Sequence, residues 1–210
     1  MAGALLARWL APPVALVVVR SAGLLDEGLI QEGEPPRPEA VAALTGYGLD
    51  ISGHRSHRVT VADLSGADLV LGMSRAHVRH AVVLAPETWP RAFTLKELLR
   101  RGEEAGPRRP DEPLADWVAR VHEGRERPAL LGDSPVDDVA DPMGGPAQAY
   151  ADTAVLLDEL TSRLAGAVLG TTRGQLAGGG VIPRRLSSGH PHTWPASRAV
   201  HLGRPLNPGG

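Results

Sequence analysis

No cysteine occurs among the 210 residues of the chain. Within them, this excludes disulfides, thiolate metal sites and cysteine nucleophiles. Aromatic side chains make up only 3% of the residues, so aliphatic side chains and alanine must fill the core. Lys96 is the only lysine, and the formal net charge of −2 gives no reason to expect nucleic acid or an anionic membrane as a partner. The composition as a whole, 42% hydrophobic and 22% charged residues, is that of a globular chain.

Long hydrophobic runs are also lacking, and no apolar stretch reaches the roughly 18 residues that a membrane span needs. The N-terminus has an apolar run after Arg8, which could be mistaken for a secretory signal. Pro12 and Pro13 break that run, and Arg20 lies where a cleavage site should be uncharged. We therefore predict an opening helix followed by a buried strand, and a cytoplasmic protein. The alternative, a secreted binding protein, would depend on this segment alone.

Short apolar runs alternate with amphipathic segments along most of the chain. Strands are predicted at residues 16–20, 68–73 and 93–95, and helices at residues 39–47 and 146–169. Thr60, Ser74 and Thr94 are predicted to cap helices at their N-termini. Residues 81–85 suit either a strand or the end of the helix that follows Ser74. This alternation is typical of an open parallel α/β sheet.

Two regions differ from this pattern. Residues 100–135 form a charged, proline-rich insertion, in which one helical face carries Leu114, Trp117, Val118 and Val121. Residues 171–210 contain no acidic residue and no helical period, as is typical of a disordered tail. We therefore expect one domain over residues 1–169, with the insertion inside it, and a tail over residues 170–210.

Five stretches, in this order, resemble the low-molecular-weight protein tyrosine phosphatase family over about residues 1–166. They are RSAGL at 20–24, GLDISGHRSHRVT at 48–60, ADLVLGMSRAHV at 67–78, RAFTLKEL at 91–98 and DVADPMGG at 138–145. The resemblance implies a three-layer αβα fold with a four-stranded parallel sheet in the order 2-1-3-4. It also implies hydrolysis of phosphomonoesters through a cysteinyl-phosphate intermediate, without a metal or other cofactor.

The family's signature, C-x-x-x-x-x-R-S/T-P, is missing from the chain. Its opening residues, MAGALLARWL, resemble the helix that directly follows that signature in the family. By resemblance, the missing parts are therefore the nucleophilic cysteine, the phosphate-binding arginine and the first, central strand. In such a site, loop amides and a helix N-terminus would bind the phosphate and lower the pKa of the thiol.

The resemblance assigns roles to four residues of this chain. Asp141 corresponds to the general acid that protonates the leaving tyrosyl oxygen. Ser21 and His54 correspond to residues that brace the phosphate loop, and Met143 lies where an aromatic side chain commonly flanks the substrate ring. The implied substrate is a phosphotyrosine protein or another aryl phosphate, once the missing segment is supplied.

Two hypotheses remain for the chain as a whole. In the first, it is a phosphatase whose start codon has been placed too far downstream. In the second, it is a non-catalytic pseudophosphatase or gene remnant that acts, if at all, as a binding protein. Arsenate reduction on the same fold needs a relay of several cysteines, and the chain has none. His57 and His77 have no metal partners at ligand spacing, and we expect them to be surface or loop residues.

Overall fold

The computed structural model describes residues 1–11, 17–24 and 31–171. Within these ranges the chain forms seven α-helices, two β-strands and two short 3₁₀ helices at Pro86–Arg91 and Arg127–Leu130. The elements in chain order are α1 (Ala2–Trp9), α2 (Pro38–Thr45), α3 (Val61–Ser65), β1 (Val70–Gly72), α4 (Arg75–Leu84), β2 (Ala92–Thr94), α5 (Leu95–Ala105), α6 (Leu114–His122) and α7 (Ala147–Leu169).

The strands β1 and β2 pair in parallel, in the register that sets Val70 opposite Ala92 and Gly72 opposite Thr94. Both were predicted from their short apolar runs. Gly72 ends β1 where α4 packs closely on the chain. A Cβ at this position would lie 2.9 Å from a methyl carbon of Val78, so only glycine fits without a shift.

The expected four-stranded sheet is not found among the described residues, which contain a two-stranded sheet. Of the predicted strand at residues 16–20, Leu16 lies outside the described residues. Residues 17–20 form no strand, and Val18 makes only an isolated bridge. The physical reason is the lack of a ladder partner, because Val19 and Arg20 line a cavity that β1 also borders.

The main core lies between the sheet and α7. This long helix packs against α1, α2 and α5, and its buried side chains include Leu157, Leu160, Leu164 and Val168. The predicted apolar face is thus confirmed, apart from Leu156, which is only half-buried. The helix ends at Gly170, which has the left-handed φ of 66° that favours glycine at a C-terminal cap.

The predicted N-caps are confirmed. The Thr60 side chain accepts a hydrogen bond from the Asp63 amide, while the Asp63 carboxylate accepts one from the Thr60 amide, which is a complete capping box. Ser74 caps α4, and Thr94 caps α5. Residues 81–84 belong to α4, which decides between the two structures that their sequence allowed.

Residues 100–135 contribute α6, whose buried face carries Trp117, Val118 and Val121 as predicted. The indole N–H of Trp117 donates to the carbonyl of Gly106 at 3.0 Å. The predicted tail lies outside the described residues from residue 172 onward. None of the described helices is long and apolar enough to cross a membrane.

Candidate active site

A cavity of about 310 Å³ separates residues 19–24 from β1. Its lining is mostly apolar and includes all of residues 69–73. The first turn of α1 closes one end of it, so that a helix N-terminus, a strand end and the RSAGL segment meet around one space. The lining residues that matter for the site are Met1, Gly3, Ser21, Leu71, Met73 and His77.

Asp141 lies on an exposed loop at the carboxyl end of β1. Two residues earlier, the Val139 amide donates to the Met73 carbonyl at 2.7 Å, which ties the loop to the cavity wall. The Asp141 carboxylate accepts from the Met143 amide at 3.0 Å, forming a local turn across Pro142. The acid is therefore solvent-accessible and held in a defined turn, beside the cavity rather than in its lining.

Ser21 and His54 both lie close to the first turn of α1. A Cβ at Gly3 would be 3.6 Å from the Cβ of Ser21, which places the serine against the helix. His54 is half-buried, and its amide donates to the Ile51 carbonyl at 2.9 Å. Its pKa is lowered by burial and, secondarily, by the nearby positive charge of the Met1 amino group. The structure therefore brings these two sequence-predicted residues to the helix N-terminus.

The Met1 amino group is itself buried in this region, and the burial lowers its pKa. Burial penalises the ammonium form because water no longer solvates its charge.

Met143 is 38% exposed on the loop of Asp141. Its thioether can offer an apolar, polarizable contact at the site's rim, but not ring stacking.

The family model for low molecular weight phosphotyrosine protein phosphatase matches residues 1–111, which is more than half of the chain. The chain belongs to this family. Among curated proteins, no significant match was found.

Solved structures of phosphatases resemble the chain over most of its length. The YwlE arginine phosphatase from Geobacillus stearothermophilus is 27% identical, with a TM-score of 0.54 over 78% of this chain and 80% of that protein. A YwlE mutant from Bacillus subtilis is also 27% identical, with a TM-score of 0.55 over 78% of this chain and 83% of its own. A low molecular weight protein tyrosine phosphatase from Bacillus subtilis is 25% identical, with a TM-score of 0.56 over 79% and 85%. The mixed α/β fold is thus that of low-molecular-weight phosphatases.

Sequence reasoning missed the ion pairs that hold the loop carrying Asp141 in this phosphatase-family chain. Asp137 is buried and pairs with Arg75 at 2.7 Å and with Arg100 at 3.3 Å. Asp138 accepts from the Arg75 amide at 2.8 Å. The two adjacent aspartates before the Asp-Pro pair were a visible signal, but Arg75 and Arg100, with which they bond, lie more than thirty residues away.

The two histidines considered for metal binding have other partners. His57 lies between the carboxylates of Glu32 and Asp63, each 3.0 Å from a ring nitrogen. Nδ1 of His77 accepts from the Met73 amide at 3.2 Å. In the described part of the chain, no group of three His, Asp or Glu side chains is arranged to hold a metal ion.

Proposed function

We propose that residues 1–169 form the acid-bearing part of a protein tyrosine phosphatase site and that its cysteine nucleophile is supplied by residues joined ahead of Met1. The observation that carries this proposal is the bond from the Val139 amide to the Met73 carbonyl. It holds the loop of Asp141 at the carboxyl end of β1, beside the cavity that Ser21 and the N-terminus of α1 border. Ligands of open α/β sheets bind at this edge.

The cavity is the proposed position of the central strand in a four-stranded sheet of order 2-1-3-4. A phosphate loop leaving that strand would enter α1 at Met1, next to Ser21 and His54. Loop amides and the positive end of the helix dipole would then face the phosphate. Ser21 and His54 lie where they would brace this loop, which gives them supporting rather than chemical roles.

The reaction would proceed in two displacements. A cysteine thiolate attacks phosphorus, so that an S–P bond forms while the bond to the leaving oxygen breaks. Asp141 gives its proton to that oxygen. In the second step Asp141 takes a proton from water, whose oxygen attacks phosphorus and displaces the thiolate. The exposed position of Asp141 allows this exchange with substrate and water.

For the substrate we propose a phosphotyrosine protein or another aryl phosphate, as the family description indicates. Met143 in place of a ring-flanking aromatic weakens the case for a strict preference for tyrosine. Two of the similar structures are described as arginine phosphatases. A phosphoarginine peptide is therefore the second substrate to assay, in competition with a phosphotyrosine peptide.

The test uses the extended protein, in which a strand and signature loop precede Met1, taken from the gene's own upstream sequence or grafted from the Bacillus subtilis relative. In it, Asp141→Asn should lower kcat for phenyl phosphate by roughly 10²–10⁴, the usual effect of a positioned general acid. The loss should be smaller for p-nitrophenyl phosphate, whose leaving group needs less protonation. Asp133→Asn, an exposed carboxylate in the same segment, is the matched control and should leave both rates unchanged.

An equal rate for Asp141→Asn and the unsubstituted extended protein on phenyl phosphate would move the acid role to another residue. An in-frame stop codon or unrelated sequence directly upstream of Met1, with no activity in the grafted protein, would favour the non-catalytic alternative.

A further inference from the structure

We propose that Asp138 is a positioning residue that holds the acid loop of Asp141 in place, an inference that rests on the proposed function. Asp138 precedes Asp141 by three residues and adjoins Val139, whose amide binds the carbonyl at the end of β1. The segment between the 3₁₀ helix Arg127–Leu130 and α7 contains no regular secondary structure. Its position therefore depends on contacts with neighbouring elements.

Both carboxylate oxygens of Asp138 accept hydrogen bonds from backbone amides. Oδ1 accepts from the amide of Arg75, the first residue of α4, at 2.8 Å. Oδ2 accepts from the amide of Ser134 at 2.9 Å, which closes the loop on itself. A negative charge at a helix N-terminus is stabilised by the unpaired amides and the helix dipole. One side chain thus links the acid loop to α4, the helix that directly follows β1.

The backbone of Asp138 is held as well. Its amide donates to the Ser134 carbonyl at 2.7 Å, and its own carbonyl accepts from Nζ of Lys96, on α5. The loop is therefore attached at Asp138 to itself, to α4 and to α5. Among the described residues, the Asp141 side chain beyond it bonds only to Met143, in the local turn.

Asp137 provides a second attachment, to side chains rather than to a helix end. Its Oδ2 accepts from Nε and Nη2 of Arg75, at 3.0 and 2.7 Å, and its Oδ1 accepts from Arg100 at 3.3 Å. These bonds hold the loop near α4 and α5, but they do not replace the direct bond from Asp138 to the α4 backbone. Removing Asp138 should therefore loosen the loop without releasing it from the protein.

The test compares Asp138→Ala, Asp138→Asn and Asp133→Asn in the extended protein. Asp138→Ala should lower kcat for phenyl phosphate by roughly 10²-fold, the effect of misplacing a catalytic group by about 1 Å. It should leave p-nitrophenyl phosphate and KM much less affected, because the phosphate-binding parts are not moved. Asp138→Asn keeps one acceptor oxygen, so it should recover part of the rate. Asp133 has no hydrogen bond or ion pair to a described residue, and its substitution should change nothing.

If Asp138 had a merely structural role, its substitution would lower kcat for phenyl phosphate and for p-nitrophenyl phosphate equally. That result would overturn the proposal. So would a double variant Asp138→Ala, Asp141→Asn that is much slower than Asp141→Asn alone, because a positioning residue acts only through the acid.

Hydrogen exchange at the Val139 amide gives a readout independent of activity. Faster exchange in Asp138→Ala, with unchanged protection in α7, is expected, whereas unchanged protection at Val139 would contradict the inference. An inactive extended protein whose Val139 amide still follows this pattern would refute the proposed function but not the role of Asp138.

Discussion

The pKa of His57 depends on two carboxylates, one of which is distant in sequence. Its Nδ1 lies 3.0 Å from Glu32 Oε1, and its Nε2 lies 3.0 Å from Asp63 Oδ2. A neutral imidazole carries one ring proton, so only the imidazolium form can donate to both carboxylates. These bonds, that to Asp63 first, raise the pKa of His57. Asp63 belongs to the capping box of α3, so the same carboxylate serves both the helix end and the histidine.

A pH-dependent contribution to stability follows from this arrangement. Because the pKa of His57 is higher in the folded than in the unfolded chain, its stabilising effect is complete below the unfolded value of about 6.5. The effect is lost as the pH rises through the folded value. In the extended protein, His57→Gln should therefore lower the free energy of unfolding by about 1 kcal/mol at acidic pH, the scale of partly exposed ion pairs, and by less at alkaline pH.

Thermal melts of this variant and the unsubstituted protein across the pH range would measure the difference. His80→Gln is the control, since His80 is exposed on α4 and makes no ion pair with a described residue. A His57→Gln effect that does not change with pH would show that the imidazolium is not the stabilising form.

At the scale of elements, α6 contributes to the main core. Trp117 is completely buried in the main hydrophobic cluster. Gly102 of α5 lies beneath it, and a Cβ there would be 3.1 Å from the indole ring. The absence of a side chain at Gly102 on α5 thus makes room for Trp117, the largest side chain of α6.

Trp117→Ala in the extended protein should reduce the free energy of unfolding by about 3–5 kcal/mol, because burial is lost and a cavity remains. Val155→Ala, on the exposed face of α7, should change it by no more than about 0.5 kcal/mol. Urea denaturation of both variants gives these values. A loss near that of the control would mean that α6 is an appendage that the domain does not need.

At the scale of the whole molecule, the feature that bears most on stability is the cavity beside β1. β1 pairs with β2 along one edge, and no second strand among the described residues pairs with its other edge. Buried amide and carbonyl groups without partners cost roughly 1–3 kcal/mol each. Several of them would exceed the roughly 5–15 kcal/mol by which a domain is normally stable.

We therefore predict that the 210-residue chain shows no cooperative thermal transition and no hydrolysis of p-nitrophenyl phosphate above background. The extended protein should show both, since a strand in the cavity would satisfy these groups. Calorimetry and a phosphatase assay on the two proteins test this directly. A cooperative transition in the 210-residue chain would contradict the prediction about stability, whatever its activity.

Local features of the protein could be predicted from its sequence. The caps at Thr60 and Ser74, the apolar face of α7 and the short strands β1 and β2 depend on residues a few positions apart, so their pattern is visible along the chain. The resemblance in DVADPMGG singled out Asp141 in the same way, although its catalytic role stays a prediction.

Only the tertiary structure decided which of these features meet. The Asp138 carboxylate reaches the Arg75 amide across 63 residues, and His57 reaches Glu32 across 25. It also determined that Val19 and Arg20 border a cavity instead of extending the sheet. A strand's propensity is a property of its own residues, but its hydrogen bonds need a neighbour, and that neighbour is determined by how the whole chain packs.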